Sequence, residues 1–344
     1  MPATPVDALL TFDAVIDVRS PSEFAEDHAP GAINLPVLDD DERARVGTLH
    51  KQVSPFDAKK IGAALVSRNI AAHLDTYFAD KPKAFRPLVY CWRGGSRSGA
   101  LTHILQKIGF GAVQLDGGYK AYRRHIIQAL EQLPGQFQYR VVAGPTGSGK
   151  SRLLVALARA GAQVLDLEAL AAHRGSLLGA LPDAPQPSQK SFESALWFEL
   201  IRFDPARPVF VESESKKIGA LRVPDALLLA MRASPCLRLS VPLPVRVQGL
   251  IEDYAHFPAA PDALMQQLDF LLRLRGKATL DLWQQYIHAG NWSGLTEALL
   301  TEHYDPAYEK SLAKNYAAHP DEQTYSLDSL DADTLDRLAK SLLS

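Results

Sequence analysis

The chain has 344 residues, of which 47% are hydrophobic and 22% are charged, so it is long enough for two domains that each bury a core. No apolar run reaches the ~18 residues that a membrane span needs. Near the N-terminus, acidic Asp7 and Asp13 lie where a secretion signal would have basic residues. Both observations predict a cytoplasmic protein with no membrane partner. The two cysteines, Cys91 and Cys236, lie far apart and argue against a disulfide framework. The net charge of −2 excludes global basicity, so a nucleic-acid partner requires a local patch such as residues 86–124, which hold seven Lys or Arg and one acidic residue.

The first part of the chain alternates short apolar strands with helical segments. The predicted strands span residues 15–18, 88–91 and 112–115. The predicted helices span residues 58–68, 71–78, 99–108 and 121–130. This alternation predicts a parallel sheet covered by helices.

A turn at residues 133–136, Leu-Pro-Gly-Gln, separates this part from a second α/β unit. Its predicted strands span residues 139–143, 163–167, 209–211 and 237–241, and its first helix spans residues 151–160. From Pro242 onward the pattern is mostly helical. The sequence therefore predicts an α/β fold with one domain at residues 1–134 and a second, with a helical C-terminal region, at residues 135–344.

The second unit opens with a glycine-rich loop. Residues 144–151, Gly-Pro-Thr-Gly-Ser-Gly-Lys-Ser, fit G-x-x-x-x-G-K-[ST] between a predicted strand and a predicted helix, where this motif binds phosphate. Backbone N–H groups and the helix N-terminus attract the anion, Lys150 adds a charge, and Ser151 can bind Mg²⁺. The phosphate-binding candidates of this P-loop are Gly144, Thr146, Gly147, Ser148, Gly149, Lys150 and Ser151.

Carboxylates near the ends of two predicted strands are candidates for acid–base chemistry or for Mg²⁺. Glu212 and Glu214 lie at the end of one strand, and Asp166 and Glu168 lie at the end of another. Each also suits a solvated or helix-capping carboxylate, so the sequence leaves the choice open.

A second glycine-rich loop, residues 91–98, also follows an apolar strand and opens a helix. Its sequence is Cys-Trp-Arg-Gly-Gly-Ser-Arg-Ser. The helix terminus and the two arginines favour a thiolate and would bind the anion that this sulfur attacks, so Cys91 is the predicted nucleophile. The anion-binding candidates are Arg93, Gly94, Gly95, Ser96 and Arg97. Cys236 has no such surroundings and is predicted to be structural.

The spacing Cys-x5-Arg also fits cysteine phosphatases. A phosphatase needs a general acid to protonate its leaving group, and none is identifiable from the sequence. Phosphoryl transfer at Cys91 therefore remains an alternative.

Residues 15–24, Val-Ile-Asp-Val-Arg-Ser-Pro-Ser-Glu-Phe, and residues 28–36, His-Ala-Pro-Gly-Ala-Ile-Asn-Leu-Pro, resemble the first signature of rhodanese domains. With the Cys91 loop and residues 115–123, the resemblance covers most of residues 10–125. In a rhodanese the loop cysteine carries a transferable chalcogen as a persulfide. The Cys91 loop is one residue longer than most rhodanese loops and resembles the anion loop of rhodanese-fold phosphatases, which implies a larger anion than thiosulfate.

A rhodanese domain followed by a P-loop NTPase-like domain resembles the tRNA 2-selenouridine synthase family over nearly the whole chain. Further shared segments include residues 166–168, 173–176, 212–215 and 303–308. The resemblance implies a transferase that replaces sulfur by selenium in the wobble 2-thiouridine of tRNA, with selenophosphate from a supply enzyme as donor. It also implies an S-geranyl-2-thiouridine intermediate made from geranyl diphosphate, because an alkylated sulfur leaves more readily than a thiocarbonyl sulfur.

The implied roles divide between the two loops. Selenophosphate would bind in the Cys91 loop and either pass selenium to Cys91 as a perselenide or be held there for delivery. The P-loop would hold geranyl diphosphate, so that ATP is not required, and His173 and Arg174 would contact the tRNA backbone or the diphosphate. Trp92 is a candidate stacking platform for the flipped base. Further candidate cations for tRNA are Arg123, Arg124, Lys190, Lys216, Lys217, Arg273, Arg275 and Lys277.

Two other functions remain open from the sequence. One is a rhodanese-type persulfide sulfurtransferase coupled to an ATP-dependent domain, which would turn over ATP and would not depend on selenium. The other is a nucleotide-gated binding module with an inert rhodanese scaffold, against which a readily alkylated Cys91 would count.

Overall fold

The structure is a computed structural model that describes residues 6–176, 178–182, 184–255, 257–259, 261–269, 271, 275–316 and 319–344. The chain forms two compact units. The first contains residues 1–129 and 187–198, and the second contains residues 130–186 and 199–344. The predicted domain boundary after residue 134 stays a prediction, and the first unit also recruits a short segment from later in the chain.

The first unit contains the predicted parallel sheet, with strand order β2-β1-β3-β4. The strands are β1 (Ala14–Asp17), β2 (Ile33–Asn34), β3 (Pro87–Tyr90) and β4 (Val113–Gln114). The helices in this part of the chain are α1 (Pro21–Glu26), α2 (Asp40–Gln52), α3 (Pro55–Asp75), α4 (Ser96–Ile108) and α5 (Gly118–Gln132), preceded by a 3₁₀ turn at Val6–Thr11. The central strand β3 is buried along its whole length, and Cys91, the residue that follows it, is buried as well.

Helix α3 differs from the prediction of two separate helices at residues 58–68 and 71–78. Asn69, at the predicted break, donates its side-chain amide to the Val37 carbonyl at 3.1 Å and to the Glu42 carboxylate at 2.8 Å. Because this polar side chain is satisfied by tertiary partners, it does not compete with the backbone, and the helix continues through it.

The second unit contains a five-stranded parallel sheet with strand order β11-β10-β5-β7-β6. The strands in this part of the chain are β5 (Tyr139–Ala143), β6 (Gln163–Leu165), β7 (Val209–Glu212), the hairpin β8 (Lys217–Ile218) and β9 (Leu221–Arg222), β10 (Cys236–Ser240) and β11 (Gln323–Ser326). Strand β11 was not predicted, because Gln-Thr-Tyr-Ser is polar and mostly exposed at the sheet edge, where it pairs with β10.

The helices that follow α5 belong to the second unit, except for α8 (Gln189–Leu200), most of which belongs to the first unit. They are α6 (Lys150–Arg159), α7 (Leu167–Leu170), α8 (Gln189–Leu200), α9 (Asp225–Arg232), α10 (Leu243–Asp253), α11 (Pro261–Asp269), α12 (Lys277–His288), α13 (Trp292–Leu299), α14 (Asp305–Asn315) and α15 (Ala332–Ser341). Short 3₁₀ turns lie at Leu133–Gln136 and Phe257–Ala259, and a π-helical turn lies at Leu300–Tyr304. The predicted α/β fold with a helical C-terminal region is confirmed.

Buried apolar side chains form a core beneath each sheet. Val89, Leu101 and Leu105 are fully buried in the first unit, and Leu153 and Leu157 of α6 are fully buried against the second sheet. A separate apolar cluster joins α11, α12 and α13 in the C-terminal region. Burial of this surface is the main favourable term that fixes the strand ends, and hence the loops, in place. Among the described residues, no helix combines the length and the apolar character needed to cross a bilayer.

Candidate functional site

The Cys91 loop begins where the buried strand β3 ends, and it closes on the N-terminus of α4. Gly94 and Gly95 both have left-handed backbones, with φ of 71° and 75°, and Gly95 is the N-cap residue of α4. A side chain at Gly95 would collide with the Gln114 amide. The two glycines therefore turn the chain so that the first-turn N–H groups of α4, which have no intrahelical acceptor, point into the loop.

Cys91 is 2% exposed, and its sulfur is the centre of a short chain of hydrogen bonds. The Ser98 hydroxyl donates to the Cys91 sulfur at 3.2 Å. The Gln114 amide in turn donates to the Ser98 oxygen at 2.8 Å and to the Gly95 carbonyl at 3.1 Å. Because Gln114 supplies a donor to Ser98, the single hydroxyl hydrogen of Ser98 is directed to the sulfur.

The start of α5 supports the loop from the other side. Tyr119 N–H donates to the Cys91 carbonyl at 2.8 Å, and Lys120 N–H donates to the Trp92 carbonyl at 3.1 Å. Gly118 has a φ of 57° and lies so close to the Cys91 carbonyl that a Cβ there would approach it to well under 3.0 Å. The Trp92 ring stacks on Tyr119 with centroids 5.3 Å apart, and the Lys120 ammonium lies 5.9 Å from the centre of the same ring. The stacking of a base on Trp92 stays a prediction.

The two arginines of the loop differ in their surroundings. Arg93 is exposed, whereas Arg97 forms an ion pair with Glu23, 2.7 Å from Nη1 to the carboxylate. Burial favours a higher pKa for Glu23, but the hydrogen bond and charge of Arg97 outweigh it and lower the pKa. Glu23 thus fixes the guanidinium of Arg97, and the anion-binding role of both arginines stays a prediction.

A cavity of about 520 Å³ lies against the same loop. Gly94, Gly95 and Ser98 form one side of it, and Thr102 of α4 lines it as well. Thr102 is 5% exposed, and its hydroxyl is enclosed without a hydrogen-bond partner among the described residues. Cys91 does not line this cavity, but Ser98, which donates to the Cys91 sulfur, does.

The P-loop lies between β5 and α6, as the motif requires. Gly147 and Gly149 have left-handed backbones, and Gly149 is the N-cap residue of α6. The Lys150 ammonium donates to the Gly144 carbonyl at 2.7 Å. Burial lowers the pKa of Lys150, and the nearby charge of Glu168 opposes this shift.

Two residues from the C-terminal region hold the P-loop in place, and sequence reasoning missed both. Arg246, 5% exposed, donates to the Thr146 carbonyl at 2.9 Å and pairs with Asp305 at 2.5 Å. The Tyr308 hydroxyl accepts a hydrogen bond from Gly144 N–H at 2.6 Å. Tyr308 lies in a segment that the family resemblance had marked, but an isolated arginine in a helix carries no comparable sequence signal.

The four predicted carboxylates gather around the P-loop. Ser151 donates to Glu168 at 3.0 Å, and Glu168 N–H donates to the Glu212 carboxylate at 2.8 Å. Gly175 has a φ of 66°, and a Cβ there would lie 2.6 Å from the Glu168 carboxylate and 2.7 Å from that of Glu214. Asp166 accepts a hydrogen bond from Ala169 N–H at 2.8 Å and so caps α7. This is the helix-capping role that the sequence left open for each of the four carboxylates.

Each of these carboxyl groups has a raised pKa. Burial is the main cause, and it raises the pKa of Asp166 and of Glu168, the latter against the opposing charge of Lys150. Burial and Glu168 together raise the pKa of Glu214 to about 8. Glu212 is 1% exposed with one oxygen unpartnered, and burial raises its pKa well above its ordinary value. Burial thus makes these carboxyl groups take up a proton more readily than they would in water.

Mg²⁺ remains a prediction. Ser151 and Glu168 supply oxygen ligands of the kind that Mg²⁺ prefers. In the part of the chain that the structure describes, however, no three His, Cys, Asp or Glu side chains are grouped to hold a metal ion.

His173 and Arg174 both line a cavity of about 560 Å³ around the P-loop. His173 is 7% exposed, and its Nδ1 has no partner in the part of the chain that the structure describes. Burial lowers the pKa of the imidazole, which favours the neutral ring. Arg174 donates to the Asp253 carbonyl, and its guanidinium lies 4.6 Å from the centre of the Tyr254 ring. The structure thus brings both residues to the P-loop, where a neutral imidazole offers a hydrogen bond to phosphate but no charge.

An apolar pocket opens from the P-loop cavity. Five residues line both: Thr146, Ser176, Leu250, Tyr254 and Tyr304. Beyond them the apolar pocket is lined by Leu178, Ile251, Phe257, Pro258, Leu264, Trp292, Leu295, Thr296, Leu299 and Leu300. A phosphate site therefore adjoins an almost wholly aliphatic and aromatic one.

Several of the candidate cations for tRNA are paired within the chain. Arg123 pairs with Glu193, Lys190 with Glu26, and Lys216 with Asp225, while Arg275 donates to His303. Arg124, Lys217 and Lys277 are exposed, and Arg273 lies outside the described residues. The proposed tRNA contacts stay predictions.

Cys236 contrasts with Cys91. It lies in β10, is 2% exposed, and burial raises its pKa to about 11. A thiol in this environment is unreactive at neutral pH, which agrees with the structural role predicted for it.

Two family models match the chain. A rhodanese-like domain model matches residues 3–125, and the model of the tRNA 2-selenouridine synthase AAA domain matches residues 137–268. A solved N-terminal domain from Clostridium difficile 630, described as belonging to an ATP/GTP-binding protein, is 35% identical over 37% of this chain and 99% of that one, with a TM-score of 0.33.

Two relatives are named tRNA 2-selenouridine synthase, like the family model that matches residues 137–268. A tRNA 2-selenouridine synthase of Nitrosomonas europaea is 38% identical over 244 residues, which is 70% of this chain and 63% of that protein. One of Marinobacter nauticus is 33% identical over 332 residues, which is 87% of this chain and 88% of that protein. The match thus spans less than two thirds of the first relative and nearly nine tenths of the second. The chain belongs to the tRNA 2-selenouridine synthase family.

Proposed function

We propose that the chain is a tRNA-modifying transferase that replaces sulfur by selenium in wobble 2-thiouridine. Selenophosphate is the selenium donor, and the reaction passes through S-geranyl-2-thiouridine made from geranyl diphosphate. The observation that carries the geranyl step is the apolar pocket that opens directly from the P-loop cavity.

This pair of sites suits an amphiphile with a diphosphate head. A nucleotide bound at the P-loop would direct a polar base and ribose away from the phosphates, and Leu264, Leu295 and Leu299 offer such groups no hydrogen bonds. A ten-carbon isoprenoid chain gains free energy by burial against the same side chains. At about 70 Å³ the pocket encloses only part of such a chain, so it is the character of its lining that favours a prenyl tail over a nucleotide base.

The geranyl step forms a bond between the thiouridine sulfur and the first carbon of the chain. The carbon–oxygen bond to diphosphate breaks, and its electron pair leaves with the diphosphate. The N–H groups of the P-loop and Lys150 stabilise that departing charge. The proton lost from the thiouridine ring needs an acceptor in the cavity, and Glu214, whose pKa is raised to about 8, lines it.

The selenium step takes place on the activated base. Selenium attacks the ring carbon, the carbon–sulfur bond breaks, and geranylthiol leaves. Cys91 and the N–H groups of its loop bind and activate the selenophosphate.

Mass spectrometry of a 2-thiouridine anticodon stem-loop tests the proposal. The stem-loop is incubated with the full chain and geranyl diphosphate, selenophosphate, both, or ATP alone. The expected products are S-geranyl-2-thiouridine with the first and 2-selenouridine with both. Modification that requires ATP and proceeds without selenium would instead establish the persulfide sulfurtransferase.

Variants assign the two steps to the two loops. Lys150→Ala is expected to abolish geranyl transfer, and unaltered transfer would overturn the placement of the diphosphate. Cys91→Ala is expected to abolish selenium incorporation and to leave geranyl transfer intact. Cys236→Ser, which replaces the other buried thiol, is the matched control and is expected to retain both steps.

A further inference from the structure

We infer that Cys91 acts as a phosphoryl acceptor: its sulfur attacks the phosphorus of selenophosphate, releases selenide for the base, and carries the phosphoryl group as a phosphocysteine until water removes it. The inference rests on the proposed function for the identity of the donor. It replaces the perselenide expected of a rhodanese with a different covalent intermediate on the same atom.

The hydrogen bonds at the sulfur suit this chemistry. The Ser98 hydroxyl, oriented by Gln114, donates to the Cys91 sulfur at 3.2 Å. In the last step the sulfur–phosphorus bond breaks and the sulfur departs with the electron pair, so a donor fixed on that atom stabilises the leaving group. Ser98 directly follows Arg97, the residue that completes the Cys-x5-Arg spacing.

The loop provides a binding place for a tetrahedral anion. Between Cys91 and Arg97 the chain makes two consecutive left-handed glycine turns before α4, a helix of 13 residues, begins at Ser96. The arrangement directs N–H groups to an anion held beside the sulfur.

A cavity beside this loop provides room for a ligand. It measures about 520 Å³, and Gly94, Gly95 and Ser98 border it. Ser98 is also the residue whose hydroxyl donates to the Cys91 sulfur. An anion of the size of selenophosphate therefore has space next to the residue that contacts the nucleophile.

The leaving group removes the need for a general acid. Phosphate esters release an alkoxide, a strong base that must be protonated as it departs. Selenide is a far weaker base and leaves from phosphorus without that help. The reaction at Cys91 therefore does not require His103 or Asp116, which line the adjoining cavity, to act as a general acid.

The reaction balances without an oxidant or a reductant. The sulfur–phosphorus bond forms as the phosphorus–selenium bond breaks, and the electron pair of the broken bond stays on selenium. Selenide then attacks the ring carbon of S-geranyl-2-thiouridine and displaces geranylthiolate. Water hydrolyses the phosphocysteine to inorganic phosphate and restores the Cys91 thiolate. In a perselenide route the Cys91 sulfur would attack selenium instead of phosphorus. The electron pair of the phosphorus–selenium bond would then stay on phosphorus, and phosphite would be released.

The test follows the phosphorus. The full chain is mixed with selenophosphate that carries radioactive phosphorus, the mixture is quenched, and the label on the protein is located by peptide mapping. Phosphorus NMR identifies the product. We expect label on the Cys91 peptide and phosphate as the product. Label absent from the protein, or phosphite as the product, would overturn the inference.

Variants separate the intermediate from a structural effect. Cys91→Ala is expected to lose the label and Cys236→Ser to keep it, and equal labelling of both would contradict the assignment. In Ser98→Ala the label is expected to persist at least about tenfold longer, because the leaving sulfur loses its donor. An unchanged lifetime would exclude the role of Ser98. Labelling is read without tRNA, so failure of the stem-loop reaction and failure of this inference are distinguishable.

Discussion

Gly118→Ala tests how the first unit holds its nucleophile. Gly118 has a φ of 57°, and a Cβ there would approach the Cys91 carbonyl oxygen to well under 3.0 Å. The residues that follow it donate to the Cys91 and Trp92 carbonyls through Tyr119 and Lys120. The substitution therefore strains its own backbone and also pushes α5 away from the loop.

The expected loss of stability has two parts. A side chain in the left-handed region costs about 1–2 kcal/mol. The clash is with main-chain atoms that have little freedom to move, and weakening the two hydrogen bonds adds about 1–2 kcal/mol. We expect a total of about 3 kcal/mol. Gly31 provides the control, because its φ of 77° is similar but nothing lies within 4 Å of an added Cβ, so Gly31→Ala should cost only about 1 kcal/mol.

Urea denaturation of each full-length variant measures the free energies of unfolding. The alkylation rate of Cys91, measured in a Cys236→Ser background, reports whether the loop itself has moved. We expect the rate to change in Gly118→Ala and not in Gly31→Ala. Equal destabilisation by the two substitutions, with equal alkylation rates, would refute the claim that Gly118 is required by its closeness to Cys91.

Three further predictions use urea denaturation at chosen pH values. Glu23→Gln removes the ion pair with Arg97, which contributes about 1 kcal/mol to the free energy of unfolding. Because the pKa of Glu23 is lowered, this contribution is complete above about pH 5 and is lost as the pH falls. The free energies of unfolding of variant and parent should therefore converge near pH 3. Glu214→Gln should stabilise the chain, because a carboxyl group whose pKa is raised to about 8 destabilises the fold increasingly as the pH rises above its ordinary pKa of 4.5. We expect the free energy of unfolding to rise by about 1–2 kcal/mol at pH 8 and not at pH 4. A gain at both pH values would contradict this origin. Asp305→Asn leaves the Arg246 charge poorly paired and should cost about 2–3 kcal/mol at pH 7, whereas a neutral effect would mean that Arg246 does not depend on Asp305 to hold the P-loop.

The loops could be predicted because their requirements are local. Glycine is needed where the backbone is left-handed, as at Gly95 and Gly149, and a strand before and a helix after complete the geometry within about ten residues. The apolar strands β3, β5 and β7 were predicted for a similar reason, since short apolar runs between turn residues indicate buried strands. Both glycine-rich loops therefore lie where the sequence placed them.

The partners of these loops could not be predicted, because they are distant in the chain. Gln114 reaches Ser98, Glu23 reaches Arg97 across 74 positions, and Tyr308 reaches Gly144 across 164. Each contact depends on how helices pack on the sheet, which a periodic pattern does not specify. Arg97 illustrates the consequence, since the motif suggested a free anion-binding arginine and the fold supplies it with a carboxylate.

The recruited segment of the first unit has the same cause. Helix α8 lies between strands of the second unit in the chain, yet most of it belongs to the first unit. Trp197, 3% exposed, packs edge-on against Tyr122, with centroids 6.1 Å apart, and Glu193 pairs with Arg123. A helix with mixed apolar and polar residues is compatible with either unit, so only the packing decides.

The two loops apply the same anion-binding physics to different chemistry because of what stands at the end of the preceding strand. In the P-loop this position is Gly144, which has no side chain and whose N–H is bonded to Tyr308, so the loop can bind and stabilise a phosphate but cannot attack it. In the other loop the position is Cys91, with Ser98 donating to its sulfur. The P-loop therefore suits a reaction in which diphosphate leaves intact from carbon, and the Cys91 loop suits one in which a bond to phosphorus is made and broken. Under the proposed function, a chain that activates a sulfur and then delivers selenium would use one loop of each kind.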